Sequence, residues 1–310
     1  FATPTEVGDA LAAAGFDVET HATEHSFDQG SDGIINSTSL WKKNYPEITR
    51  LGIHSDEKEK NYEIRNVKNF KIALLNYSTL LSENHKVKKD ETYMINLYSE
   101  ESAKADIKEA KEEADLTVVM LHGGKSDSTE PDEKLLDRVS FLSEQGADII
   151  LCSHPHILKG YELLTREDKG KTLVYYSLGN FVSGQTELKN LLGGMADFTI
   201  KKDAESGKIS IEDYSLVPLV MHYNSDFSEA GMYKLSDYTE ELASEHASHK
   251  QDSSDEDGSS DGQESDDGEE DADTGFSLKA LEKAADAIGE LKDGQEQEDE
   301  DSQDDEDIRR

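Results

Sequence analysis

LTVVMLHGGKSDSTEPDEKLLDRVSFLSEQGADIILCSHPHILKGYELLTREDKGKTLVYYSLGNF, residues 116–181, decides the fold. Two short apolar runs within it, 116–121 and 147–152, are rich in Val, Ile and Leu and bounded by turn residues, the pattern of buried strands. Between them residues 131–145 read as a helix that closes on Gly146, a residue suited to the left-handed position after a helix end. Strand, loop, helix and strand make a βαβ unit, so the two strands are expected to be parallel neighbours. Each run ends in histidine: His122 after the first, His154 and His156 after the second. The imidazoles should therefore gather at the carboxyl ends of adjacent strands, where open α/β sheets place ligands.

Neutral imidazole is a ligand for zinc, manganese and iron. In His154-Pro155-His156 the proline fixes its own φ and restricts the residue before it, so one short loop can hold two rings. An isolated H-x-H is a weak signal and equally describes two surface histidines. Three histidines brought to neighbouring strand ends by a helical crossover are a stronger one.

Four motifs then occur in a fixed order: AAAGFDVETHATEHSFDQGSDGI at 12–34, His122-Gly123-Gly124, His154-Pro155-His156, and Tyr176-Ser177-Leu178-Gly179-Asn180-Phe181. Together they resemble the bacterial capsule-synthesis CapA family, associated with poly-γ-glutamate capsules. In that family the corresponding run has a strand ending in His-Trp-Gly, a His-Pro-His type loop and Tyr-Ser-Leu-Gly-Asn-Phe. The resemblance spans roughly residues 1–222. It implies a calcineurin-like metallophosphoesterase fold, an α/β four-layer αββα sandwich, here lacking its N-terminal portion. It also implies metal ligands at Glu24, His122, His154 and His156, catalytic roles for His25 and Asp28, and a substrate contact at Asn180.

At a ligand position the resemblance departs from the family. Glu24 stands where the family carries an Asn whose amide oxygen meets the metal. A carboxylate can also ligate a divalent ion, but it adds negative charge where an anionic substrate would approach. His25, placed to stabilise a leaving oxygen, and Asp28, placed to steady His25, are retained. The plainer alternative for His25 is a loop residue hydrogen-bonded to Asp28.

The chain has 69 acidic and 32 basic residues, a formal net charge of −37. That balance argues against nucleic acid or an anionic membrane surface as partner, since both attract Lys and Arg. Any phosphate would have to be held by a metal or by local donors. The lone Cys152 rules out an internal disulfide and, lying in an apolar strand, reads as a small buried hydrophobe. No segment is long and apolar enough to span a membrane.

Upstream, Thr3-Pro4-Thr5-Glu6 reads as a capping box opening a helix that ends at Gly15. Residues 16–22 follow as a short strand, and 34–45 as a helix carrying Trp41 against the sheet. His54 falls in a charged, solvated loop. Residues 62–67 and 71–77 form a hairpin about Lys68-Asn69. Residues 79–98 are irregular, a candidate insertion over the site, and 100–114 are a solvated helix. Downstream, 172–176 is a strand, while 193–202 and 208–222 alternate as strands of a second sheet. His222 ends the last of these and is a weak candidate for the site.

The family-like domain is taken as 1–235. Residues 236–310 are taken as an acidic low-complexity tail. Residues 251–310 contain too many Asp, Glu, Ser, Gly and Gln to offset the entropy of ordering. An amphipathic helix over 276–292, marginal on its own, is the exception expected there.

Two functions remain. One is a metal-dependent phosphoesterase-type hydrolase using at most one tightly bound Mn, Zn or Fe, with weak or no turnover. The other is a non-catalytic factor that uses the same cleft to bind polymer for assembly or export. The resemblance implies a capsular polymer or phosphorylated precursor as ligand and membrane-bound capsule synthase components as partners. It also implies a cell-envelope location, anchored through a preceding N-terminal segment that would carry the family's metal-bridging Asp.

Overall fold

A computed structural model describes residues 1–82, 86–126, 128–224, 226, 228–248 and 276–290. The chain divides into two compact units. The first comprises Phe1–Pro155, Glu162–Ser177 and Phe198–Asp213; the second takes His156–Tyr161, Leu178–Asp197 and the described residues from Tyr214 onward.

The first unit is built on the βαβ segment. Strand β5 (Leu116–His122) and strand β6 (Ile149–Ser153) are parallel neighbours, with Val118 opposite Ile149 and His122 opposite Ser153. Helix α4 (Glu133–Glu144) crosses between them and buries Leu135, Val139 and Leu142. Each such side chain contributes about 1.5–3 kcal/mol through burial. Gly146 has φ +101 and ends the helix, its N–H donating to Ser143 O at 2.8 Å. β4 (Phe70–Ser78) and β8 (Lys171–Tyr175) extend the sheet in parallel on either side. β3 (Tyr62–Val67) pairs antiparallel with β4 across a turn at Lys68, and β7 (Tyr161–Thr165) lies beside β8, completing the order β3-β4-β5-β6-β8-β7. Ile107 of helix α3 (Glu100–Glu113), Val119, Leu121, Ile150 and Cys152 share its core.

The N-terminal cap of α4 is Asp132. Its Oδ1 accepts from Leu135 N–H at 3.2 Å and its Oδ2 from Lys125 N–H at 2.6 Å. Asp132→Ala is expected to cost about 1 kcal/mol, typical of a lost cap, read as a shift of the urea midpoint with an unchanged slope.

Helix α1 (Glu6–Ala14) starts later than the expected capping box, with Thr5 as its cap and no side-chain cap hydrogen bond, so Thr3 does not play that part. Strand β1 (Val18–Thr20) is shorter than expected. It pairs in parallel only with β2 (Thr49–Leu51), in a two-stranded sheet apart from the six-stranded one. Helix α2 (Gly30–Asn44) buries Trp41, whose ring meets His21 at 5.3 Å and Tyr45 at 5.1 Å. Two upstream expectations are corrected. His54 is buried, not solvated, with Nε2–H donating to Asn96 Oδ1 at 2.8 Å. Within 79–98, a 3-10 turn spans Lys89–Met94, and Met94 and Ile95 pack with Ala22, Phe27, Ile34 and Ile53.

Helix α5 (Leu188–Leu191) leads into β9 (Leu192–Lys202), whose residues up to Asp197 belong to the second unit. The neighbouring strand β10 (Ile209–Tyr223) pairs antiparallel with β11 (Ala230–Lys234). Helix α6 (Glu240–Glu245) and helix α7 (Leu278–Glu290) follow. Residues on both sides of the expected boundary at 235 pack together. Tyr238, Ala243, Ala247, Phe276 and Leu281 share a core with Leu191, Leu192, Val220 and Met221. The helix expected over 276–292 is therefore not isolated: Leu281 is fully buried and Phe276 nearly so. An amphipathic face with a groove to fill gains the burial that a solitary helix lacks. The expectation of disorder for the rest of the tail falls on residues 249–275 and 291–310, outside those described.

Candidate metal centre

The parallel register of β5 and β6 sets His122 and His154 side by side, because one ends its strand and the other follows the next strand's last residue. Their ring centroids are 5.1 Å apart. The third member, Glu24, arrives on the loop after β1, which belongs to a different sheet. That loop is tied down by β4: Ala22 N–H donates to Asn76 Oδ1 at 2.7 Å, and Asn76 Nδ2 donates to Met120 O at 3.2 Å. Within the loop Ser26 Oγ accepts from Thr23 N–H at 2.8 Å and donates to the Thr23 carbonyl at 2.7 Å. Ser82 N–H donates to the Glu24 carbonyl at 2.9 Å.

Glu24 lies between the rings. His122 Nε2 is hydrogen-bonded to Glu24 Oε2, and His154 Nδ1 to Oε1 at 3.1 Å. One ligand atom from each of the three residues lies within 4.8 Å of the others, a grouping of metal-binding type. Burial opposes ionisation of Glu24, but the hydrogen bonds from His122 and His154 outweigh it and hold the carboxyl well below the usual carboxylate range.

The opposite ring nitrogens also have partners. His122 Nδ1 is 3.1 Å from Ser153 Oγ, and His154 Nε2 is 3.4 Å from Ser126 Oγ. A hydroxyl can donate or accept, so these serines suit either tautomer of the imidazoles they steady, the outer-shell role that orients metal-binding rings. Sequence reasoning missed Ser126, Ser153 and Asn76. Only Ser153, next to His154, carried a local signal. The donor set of one carboxylate and two imidazoles fits a divalent transition metal with a position left open.

The other expected site residues fall as follows. His25 Nδ1–H donates to Asp28 Oδ2 at 2.9 Å, and its Nε2 is 3.7 Å from Glu24 Oε1. His25 is thus at the edge of the trio, oriented by Asp28. His156 is not a member of the trio. It belongs to the second unit, where its Nδ1–H donates to Asn180 Oδ1 at 2.8 Å and its carbonyl accepts from Asn190 Nδ2 at 3.0 Å. Asn180, expected to contact substrate, spends its amide on Gln185 Oε1 at 2.8 Å and the Asn190 carbonyl at 3.0 Å. Both His154 (φ +101) and His156 (φ +61) have left-handed backbone, a conformation that costs non-glycine residues on the order of 1–3 kcal/mol and concentrates at functional loops. His222 is buried elsewhere in the second unit, its Nδ1 bonded to Tyr238 OH at 2.8 Å.

Comparison with known proteins finds sequence relatives and similar solved structures. Two curated relatives are 27% identical. The PGA biosynthesis protein CapA of Bacillus subtilis (strain 168) aligns over 188 residues, 61% of this chain and 48% of that protein. The capsule biosynthesis protein CapA of Bacillus anthracis aligns over 185 residues, 58% and 43%. The chain thus spans less than half the length of either. Among solved structures, the NAD nucleotidase NadN of Haemophilus influenzae superposes with a TM-score of 0.46 at 19% identity, over 77% of this chain and 41% of that one. A putative 5′-nucleotidase from Staphylococcus aureus gives 0.45 at 19%, over 68% and 39%. The family model described as bacterial capsule synthesis protein PGA_cap matches residues 1–185, more than half of the sequence, and the chain belongs to that family.

Proposed function

We propose that this chain is the metal-binding part of a poly-γ-glutamate capsule biosynthesis protein at the cell envelope, and that its site carries phosphoesterase-type hydrolysis. The observation that supports this reading is the convergence of Glu24, His122 and His154 to within 4.8 Å at the end of a parallel βαβ unit. Glu24, His122 and His154 would hold the ion. A divalent metal bound there supplies Lewis-acid polarisation and a more acidic water. The protein's own part is to position. Ser153 and Ser126 steady the two rings, and Asp28 points His25 toward the trio, where an imidazole can donate a proton to a departing oxygen.

A second reading keeps the metal but not the chemistry. Its support is Glu24 itself, an ionised carboxylate where an anionic ester would have to approach. On this reading the site binds polymer or a phosphorylated precursor for assembly by capsule synthase components.

Glu24→Asn separates the two. Removing a unit charge about 4 Å from an anion is worth on the order of 1–4 kcal/mol. Hydrolysis of bis(p-nitrophenyl) phosphate by the manganese-loaded variant is therefore expected to rise about tenfold or more. Unchanged, negligible hydrolysis in a variant that still binds metal would favour the binding role.

A further inference from the structure

In the second unit the described residues stop at Ser248 and resume at Phe276. The two ends meet through His246. Its ring stacks on Phe276 with centroids 4.0 Å apart and planes inclined by 20°. Tyr223 at 4.5 Å and His222 at 5.4 Å also lie against it. His246 is fully buried, its Nε2 donates to the Met221 carbonyl at 3.2 Å, and Ser248 N–H donates to its Nδ1 at 3.0 Å. Only the neutral ring with the proton on Nε2 satisfies both bonds, since an imidazolium has no lone pair.

We propose that the His246–Phe276 stack is an acid-released latch for helix α7. Protonating His246 expels the Ser248 N–H from Nδ1 and places a cation in an apolar cluster against His222 and Phe276. The helix, whose Phe276 and Leu281 depend on that cluster, then undocks and uncovers Leu191, Leu192 and Val220.

The carboxylates near the latch act on His222, whereas His246 itself is influenced by the Met221 carbonyl and by His222. From β10 come His222 and Tyr223, and His222 is bonded to Tyr238 and edge-on to Tyr233 of β11. Glu229 and Glu245 act on His222. On α5, Lys189 pairs with Glu187 at 3.1 Å. On α7 itself, Lys279, Glu282, Lys283 and Asp286 are exposed.

Burial, reinforced by His222, pushes His246 down to about 4 from its ordinary 6.5. The docked form thus binds fewer protons than the undocked form between those values. Docking is at full strength above about pH 6.5 and is lost as pH falls toward 4; at about pH 5 the docking equilibrium should have dropped roughly thirtyfold.

The test is hydrogen exchange of the full chain at pH 7.5 and pH 5.0, read as protection factors corrected for intrinsic rates. Protection across 278–288 should fall by about thirtyfold while that of 118–121 in β5 holds. In His246→Gln, whose amide can replace both hydrogen bonds without titrating, the helix should keep its protection at both pH values. Unchanged protection in the parent, a fall shared equally by β5, or an undiminished fall in His246→Gln would each overturn the latch. Should the variant not fold, the comparison of the two regions in the parent still decides.

Discussion

A variant carrying His122→Ala together with His154→Ala is expected to retain no divalent metal after dialysis, where the parent retains one equivalent per chain. Both lost groups point a ring nitrogen at the same carboxylate, so the pair removes two of three donors and leaves Glu24 alone. Losing even an outer-shell partner costs about 10–100-fold in affinity; two direct donors should cost on the order of 10⁴-fold or more. Glu24, His122 and His154 are the one such group among the described residues, hence a single equivalent. A thermal readout runs alongside. At a hundred times the dissociation constant a metal stabilises the fold by about 2.7 kcal/mol, and the shift should vanish in the double variant. Two equivalents in the parent, or metal retained by the variant, would sink the one-centre description.

Gly52→Ala is expected to damage both fold and site, although Gly52 touches no ligand. Its φ is +88, and an added Cβ would stand 2.3 Å from Asn76 Oδ1 and 2.6 Å from the Ala22 backbone nitrogen. Those two atoms form the hydrogen bond that ties the Glu24 loop to β4. Left-handed strain costs about 1–3 kcal/mol and overpacking a similar amount, so the variant should lose about 2–5 kcal/mol in denaturant unfolding. Because the loop must shift to admit the methyl group, metal affinity should fall with stability. Unaltered unfolding would show that the turn accommodates a side chain, and normal affinity in a destabilised variant would show that the loop is anchored elsewhere.

Local patterning made the centre of the fold readable. The runs at 116–121 and 147–152 and the helix between them are each determined by neighbours within a few residues, and parallel pairing follows from the crossover. It also pointed to His122 and His154, while Glu24 entered only through the family resemblance. What was not readable depends on distant partners. His54 looks solvated among charges until Asn96, far along the chain, closes over it. Nothing near Phe276 says that it shares a core with Leu191 and Val220. The spacing of His154 and His156 suggests a shared ligand, whereas Asn180 and Asn190 take His156 into their own network. Thr3 failed as a cap because the first turn begins at Glu6.

The assembly of the second unit from scattered segments bears on its birth at the ribosome. All three segments of the first unit have been synthesised by Asp213, so its sheet can close at that point. The core of the second unit lacks Phe276 and Leu281 until α7, ending at Glu290, has emerged. At about 5–20 residues per second the intervening stretch takes roughly 4–15 s to make. For that interval the nascent chain presents Leu191, Leu192 and Val220 without their cover. The period of greatest exposure to chaperones and proteases should therefore come late in translation, and slowing codons after position 213 should lower soluble yield more than the same codons placed before it.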